Sequence, residues 1–463
     1  MQPLKIAPAW LVAFIFWIFV HKFISLSSQP AHELKRTLSP AMLWGLGVGY
    51  VISGMYFGWN LGLEQGGTLG LAIATFFIII LYVCFTFSYS ELACSIPKAG
   101  GAFDYARRAL GDDIGFITGM AQNVEFIFAP PAIAFAIGAY FNLFFPQLSI
   151  LAIAIFVYVV FTALNIYGVK AAATFELVIT ILAVGELLLF AGVSLPHFHF
   201  QNLRTDAFPN GWAGVFAAIP FAIWFFLAIE GVANVAEEAI RPQRTILIGF
   251  GSSIITLVIL CILTFTSSIG VAGWKAIVYK SEGVTSDSPL PLALAHIVGT
   301  TDLLYHLLIM IGLFGLVASF HGIILAAGRS VFEFGRVQFA PAILGKIHPR
   351  FQTPANALLF NMLIGIIALF TGKTSEIITI SVFGALTLYI FSMIALLRLR
   401  KKEPRLARPF KVPFYPLLPL TALTIAIISF VAMAVYNVKL TLIYFLIMAS
   451  CYVVFKLAKR RKG

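Results

Sequence analysis

The chain has 463 residues, is 60% hydrophobic and 11% charged, and has a mean hydropathy of +0.96 and a formal net charge of +12. Soluble domains carry about 25% charged residues, so the composition excludes a soluble globular protein and indicates an integral membrane protein. Nothing reads as alternating barrel strands; the recurring long apolar runs are helical spans embedded in a lipid bilayer.

In chain order, residues 1–33 form an N-terminal extension. Its stretch "APAWLVAFIFWIFVHKF" is an apolar run ended by His21 and Lys22. The run is short for a span and resembles an interfacial helix or a signal-type segment without a convincing cleavage site. Twelve spans follow, at about 41–63, 67–90, 114–145, 148–166, 171–194, 212–235, 246–272, 303–328, 355–371, 377–397, 417–436 and 440–457. With the start of the first span on the cytoplasmic side, only Arg204, Lys275, Lys280, Lys373 and Lys439 fall on outer segments. Lys5 and Lys22 lie in the extension, and the other Lys and Arg residues are cytoplasmic. This positive-inside bias puts both ends of the twelve-span body in the cytoplasm of a cell (inner or plasma) membrane. It also accounts for the net charge without a nucleic-acid partner. Cys84, Cys94, Cys261 and Cys451 lack metal-ligand spacing and read as small core residues, so neither a metal nor a cofactor is expected.

The first and sixth spans have weakened middles, "YVISGMYFGWNLG" and "WFFLAIEGVAN". Each opens a group of five spans, in residues 34–194 and 195–400. Five is odd, so the second group inserts upside down relative to the first. An inverted five-plus-five repeat with broken first helices is a secondary-transporter architecture. Residues 401–463 add a proline-punctuated basic linker, two further spans and the tail "KLAKRRKG".

Four stretches resemble the amino acid–polyamine–organocation superfamily of transporters. They are "SELACSIPKAGGAFDYARRALG" (90–111), "VAEEAIRPQRTI" (235–246), "LGKIHPRFQTPANAL" (344–358) and "RPFKVPFYPLLP" (408–419). The likeness covers about 34–457, and "EFIFAPPAIAFAIGAY" (125–140) and "ASFHGIILA" (318–326) are similar to phrases in ethanolamine-permease-like members. The resemblance implies an all-α membrane protein of the leucine-transporter type. Its site would lie halfway across the membrane, between the first, third, sixth and eighth spans.

Unwinding a helix in lipid frees N–H and C=O groups that another helix, water, an ion or a substrate must satisfy. Half-helix N-termini favour a carboxylate, and half-helix C-termini an ammonium or cation, so a zwitterion or small amine is the complement. In the family a Gly-Ser/Thr-Gly stretch supplies carboxylate-binding amides. The matching residues here are Ile52, Ser53 and Gly54, with the first glycine replaced, and Met55 follows. An acidic residue suited to a bare ammonium is expected at Met55 in many ethanolamine-permease-like chains, so its absence leaves an amino acid substrate open. Gly54, Gly58 and Gly62 alternatively read as a helix-packing face.

In the sixth span, Trp224 stands where some relatives place an aromatic lid, Phe226 is a second gating candidate, Ala228 replaces the usual glycine and Glu230 stands where an acidic residue is common. The alternative for both aromatics is plain core. Glu125, Glu176, Glu186 and Glu230 lie within spans, where a charge costs roughly 2.5–3.5 kcal/mol. Each reads as a proton carrier or ammonium counter-ion, or as a neutral or paired structural group. Some proton-coupled relatives carry a lysine at the position of Ala183; here His321 is the candidate substitute, or else a packing residue. Ser319 beside it is a coupling candidate through its hydroxyl, including as a sodium ligand.

The expected function is secondary active transport of amino acids or small amines such as ethanolamine by alternating access, in symport with protons. Alternatives are an amine or amino acid exchanger and a non-transporting membrane sensor on the same fold. No GxSxG, HExxH or Walker-type stretch suggests an enzyme.

Overall fold

The computed structural model describes residues 36–167 and 169–460; the expected N-terminal extension lies outside them. The spanning helices are α1 (Pro40–Tyr56), α2 (Asn60–Ser95), α4 (Asp112–Phe144), α5 (Ile150–Tyr167), α6 (Val169–Ser194), α8 (Gly211–Trp224), α9 (Pro242–Ala272), α12 (Leu303–Arg336), α13 (Ala355–Leu369), α14 (Thr374–Lys402), α15 (Leu417–Tyr436) and α16 (Val438–Arg460). Between them lie the short helices α3 (Ala102–Leu110), α7 (Phe200–Arg204), α10 (Trp274–Val278) and α11 (Pro289–Val298). A small antiparallel hairpin, Tyr279–Ser281 with Val284–Thr285, joins α10 to α11. Among the described residues, ten segments are long and apolar enough to cross a membrane, one of them Gly211–Glu238. α1 and α13, at 17 and 15 residues, occupy the other two expected positions. The protein is an all-α, multi-pass membrane protein.

Local chemistry fixes several boundaries. Ser39 caps α1 by accepting from the Met42 N–H at 3.3 Å, with Pro40 pre-set at the first helical position. Asp302 caps α12 by accepting from the Leu304 N–H at 2.7 Å. Outward-facing Phe76, Phe156, Ile255 and Leu442 are exposed, as lipid-facing side chains should be. Of the ten long spans, the most deeply buried are α4, the sixth, α12 and α14, while α5 and α15 lie at the periphery; α1 is likewise mostly buried.

Both expected helix interruptions are present, at definite positions. The first helix stops at Tyr56, with Phe57 extended, and a new helix starts at Asn60. Residues 60–66 therefore form the second half of the first span, and only Gly67, at φ +64°, turns the chain into the second. A side chain at Gly67 would run into Pro209 and Ala207, so both the backbone angle and the packing require glycine. The sixth span divides into α8, a turn at residues 225–228 and a 3-10 segment, Ile229–Glu238.

The loops that carry the family likeness are tied together rather than simply solvated. Glu91 receives both Arg400 Nε and Nη2 (2.7 and 2.6 Å), Arg408 Nε (3.2 Å) and the Val412 N–H (2.7 Å). It thus fastens the end of α2 to the basic linker. Arg329, wholly buried, pairs with Glu238 at 2.9 Å, and Arg336 bonds Glu237 at 2.8 Å. These pairs fasten the end of the sixth span to α12.

Candidate functional site

The candidate site lies where the two broken helices meet. In α1, Ile52, Ser53, Gly54 and Met55 are all buried but still helical; the unwinding begins three residues after Gly54. Upstream, the Ser319 hydroxyl of α12 accepts from the Ser53 N–H at 2.9 Å and reaches the Gly49 and Tyr50 carbonyls at 2.6 and 3.0 Å. A side chain inserted into the helix ladder is a recognised cause of helix bending. The Ser319 hydroxyl is therefore engaged by the backbone of α1.

At the break itself, protein side chains satisfy the freed backbone. Trp59 Nε1 donates to the Met55 carbonyl (3.1 Å), the Tyr140 hydroxyl to Tyr56 (3.1 Å) and Trp224 Nε1 to Phe57 (3.0 Å). The Gly58 N–H donates to Asn60 Oδ1 at 3.0 Å, and Asn60 Nδ2 to the Ser286 carbonyl at 2.8 Å. Gly58 has φ +86°, a conformation that glycine adopts without a Cβ penalty.

Gly54 brings the sixth span within reach. A Cβ there would collide with the Trp224 carbonyl and meet Phe225 Cα at 3.0 Å, so the two backbones touch at this point. Trp224 also packs edge-on against Phe57, with ring centroids 5.4 Å apart. Phe226 leans on Tyr82 at 5.2 Å. Ala228 adopts the left-handed conformation, φ +76°, which costs a non-glycine residue roughly 1–2 kcal/mol. The break is thus held in place although the family's usual glycine is absent.

Directly after that strained residue stands a pair of carboxyls. Glu125 of α4 lies beside Glu230 and the Ala228 backbone, and both side chains are fully buried. Glu230 Oε2 accepts from the Tyr389 hydroxyl at 3.0 Å, and Tyr389 shares a 2.9 Å hydrogen bond with Tyr82. Both Glu125 oxygens and Glu230 Oε1 lack a hydrogen bond of full geometry among the described residues; the nearest polar groups to Glu125 are the Glu230 carboxyl and the Ala228 backbone. Two bare carboxylates side by side in a buried site repel each other and are both poorly solvated, so the pair calls for a proton or an ammonium. Gly384 of α14 lets that helix approach, since a Cβ there would meet the Glu125 N–H at 2.8 Å.

The remaining expected residues fall elsewhere. His321 bonds Glu176 at 2.9 Å, on the other flank of α1. Glu186 Oε2 accepts from the Tyr56 hydroxyl at 2.6 Å, and that hydroxyl also lies 3.0 Å from the Ala183 carbonyl. Sequence reasoning missed Tyr82, Tyr140, Tyr389 and Asn60. Their signal was there: single hydroxyl or amide groups inside apolar spans, which lipid would penalise. No group of three or more His, Cys, Asp or Glu residues suited to a metal occurs among the described residues.

Residues 37–455 match the amino acid permease family model. The chain is 30% identical over 443 residues to an uncharacterized transporter of Rhizobium meliloti (strain 1021), covering 92% of each chain. It is 26% identical to a methylthioribose transporter of Bacillus subtilis (strain 168), over 91% of this chain and 95% of the other. A branched-chain amino acid permease of the same organism is also 26% identical, over 84% and 86% respectively. The chain therefore belongs to the amino acid permease family and is a transporter of the amino acid–polyamine–organocation superfamily rather than an enzyme.

Proposed function

We propose that the protein is a secondary active permease that carries small amines such as ethanolamine, or amino acids, by alternating access in symport with protons. It would sit in the cell membrane with both ends of its twelve-span body in the cytoplasm, the orientation that the distribution of Lys and Arg favours. The observation that carries this reading is the Glu125–Glu230 pair. Three buried carboxyl oxygens without a hydrogen bond of full geometry, at the break in the sixth span, suit a cationic amine in one half of the cycle and a proton in the other. Trp224 and Phe226 act as gates over that position, and Ile52, Ser53, Gly54, Met55 and Ala228 shape the facing backbone.

The test is uptake into proteoliposomes of labelled ethanolamine, alanine, leucine and arginine, with and without a proton gradient. The reading expects uptake of an amine or amino acid that rises when the gradient is imposed. Tight binding without flux would replace it with a sensor, and flux that needs substrate on both sides would replace symport with exchange.

A further inference from the structure

A second buried ionisable cluster lies apart from Glu125 and Glu230, where α1 meets α6 and α12. His321 Nδ1 and Glu176 Oε2 are 2.9 Å apart and both side chains are fully buried. Glu176 Oε1, His321 Nε2 and the neighbouring Tyr50 hydroxyl have no partner among the described residues. The surrounding helices are shaped to this pair. A Cβ at Gly49 of α1 would collide with Glu176 Oε1, and one at Gly322 of α12 would fall 3.0 Å from the same oxygen and against the Tyr50 ring. Phe161 and Phe175 flank the imidazole at 6.0 and 5.4 Å, and Asn165 Nδ2 of α5 holds the His321 carbonyl at 3.2 Å. The charged groups that face the cluster among the described residues are Arg329 of α12 and Glu238 of the 3-10 segment. They neutralise each other at 2.9 Å.

The location is mechanical as well as electrostatic. Gly49 and Tyr50, which touch the pair, are the two residues whose carbonyls the Ser319 hydroxyl reaches. A change of charge between Glu176 and His321 therefore acts on α1 about one turn before Ser53. The 2.9 Å contact forms either with Nδ1–H donating to the carboxylate or with a protonated carboxyl donating to Nδ1. Binding or releasing a proton changes which group donates and the net charge of the pair, and with them the fit to Gly49 and Tyr50.

We propose that Glu176 and His321 form a proton-binding site, distinct from Glu125 and Glu230, whose occupancy decides whether α1 can shift against α6 and α12. The inference rests on the proton-symport reading above and names the residues that would carry the proton. The experiment compares wild type, Glu176→Gln and His321→Gln in proteoliposomes, using the same panel of ethanolamine, alanine, leucine and arginine. Two modes are measured: accumulation driven by a pH gradient, and counterflow at equal pH. A substrate carried with one proton accumulates about tenfold per unit of gradient. Both variants should lose that accumulation while keeping counterflow within about twofold of wild type. Accumulation undiminished in both variants, with wild type gradient-driven, overturns this inference and leaves proton symport standing. Loss of counterflow together with accumulation, in variants that remain monodisperse on size exclusion, makes the pair a structural element and also overturns it. A wild type indifferent to the gradient removes proton symport itself, and this site with it.

Discussion

Replacing Gly54 by alanine tests the geometry of the site most directly. The added methyl would overlap the Trp224 carbonyl and crowd Phe225 Cα and Trp224 C, at 3.0 and 3.1 Å. All three are backbone atoms, held by the Trp224 indole bond to Phe57, so no side chain can swing away to make room. Overpacking of this kind costs about 1–3 kcal/mol. Charged to the conformation in which the two breaks touch, that cost lowers its population by roughly 5- to 150-fold. Uptake, which must pass through it, should slow correspondingly, and Gly54→Leu should abolish it. Gly185→Ala in α6 is the control, because a Cβ there meets nothing within 4 Å. Initial uptake rates in proteoliposomes, normalised to inserted protein, supply the comparison. Equal rates for the two alanine variants would refute the close approach of the broken helices as a requirement for transport.

Other expectations follow from specific contacts. Glu230→Gln should alter the pH profile of uptake, since it removes a proton-binding partner of Glu125 while leaving an acceptor for Tyr389; an unchanged profile would take Glu230 out of the coupling scheme. Arg329→Met should lower stability by about 3–5 kcal/mol by stranding Glu238, and the double variant with Glu238→Leu should recover part of the loss in detergent melting curves. Full additivity of the two single losses would contradict a direct pair. Burial, and next the nearby Glu333, push Asp104 of α3 up to about 7, against Lys98 and Arg336. The folded protein then keeps this proton to higher pH than an unfolded chain does. Its contribution to stability is therefore largest in acid and falls as pH rises from about 4 to about 7. Asp104→Asn keeps an acceptor for the Gly100 N–H and should melt higher than wild type above that window, with the gap closing in acid. A constant gap at every pH would argue against a buried, proton-holding Asp104.

The membrane architecture was legible because lipid leaves few options. Spans of sufficient length, the Lys and Arg asymmetry and two weak helix centres followed from composition and order alone. Where the first helix unwinds was less legible. Serine and glycine at 53 and 54 suggested the break, but the chain leaves the helix at Phe57–Trp59, where three aromatic donors from different segments take up the carbonyls. Those donors are separated by 165 positions from Trp59 to Trp224, and no local pattern joins them. The same holds for Glu125 and Glu230, each readable as a costly carboxyl yet visible as a pair only after the fold closes. Ser319 and His321, two positions apart on one helix, part company because such positions face different sides: Ser319 grips the backbone of α1 and His321 faces Glu176.

The contact between Trp224 and the first span has a consequence for how this protein moves. The indole of one interrupted helix is bonded to the carbonyl of the other, and Gly54 presses the two backbones together one turn away. With fasteners at two levels, neither broken helix can tilt on its own without tearing a buried hydrogen bond. Under the proposed alternating access, the two breaks, at Phe57–Trp59 and at residues 225–228, are therefore expected to move together.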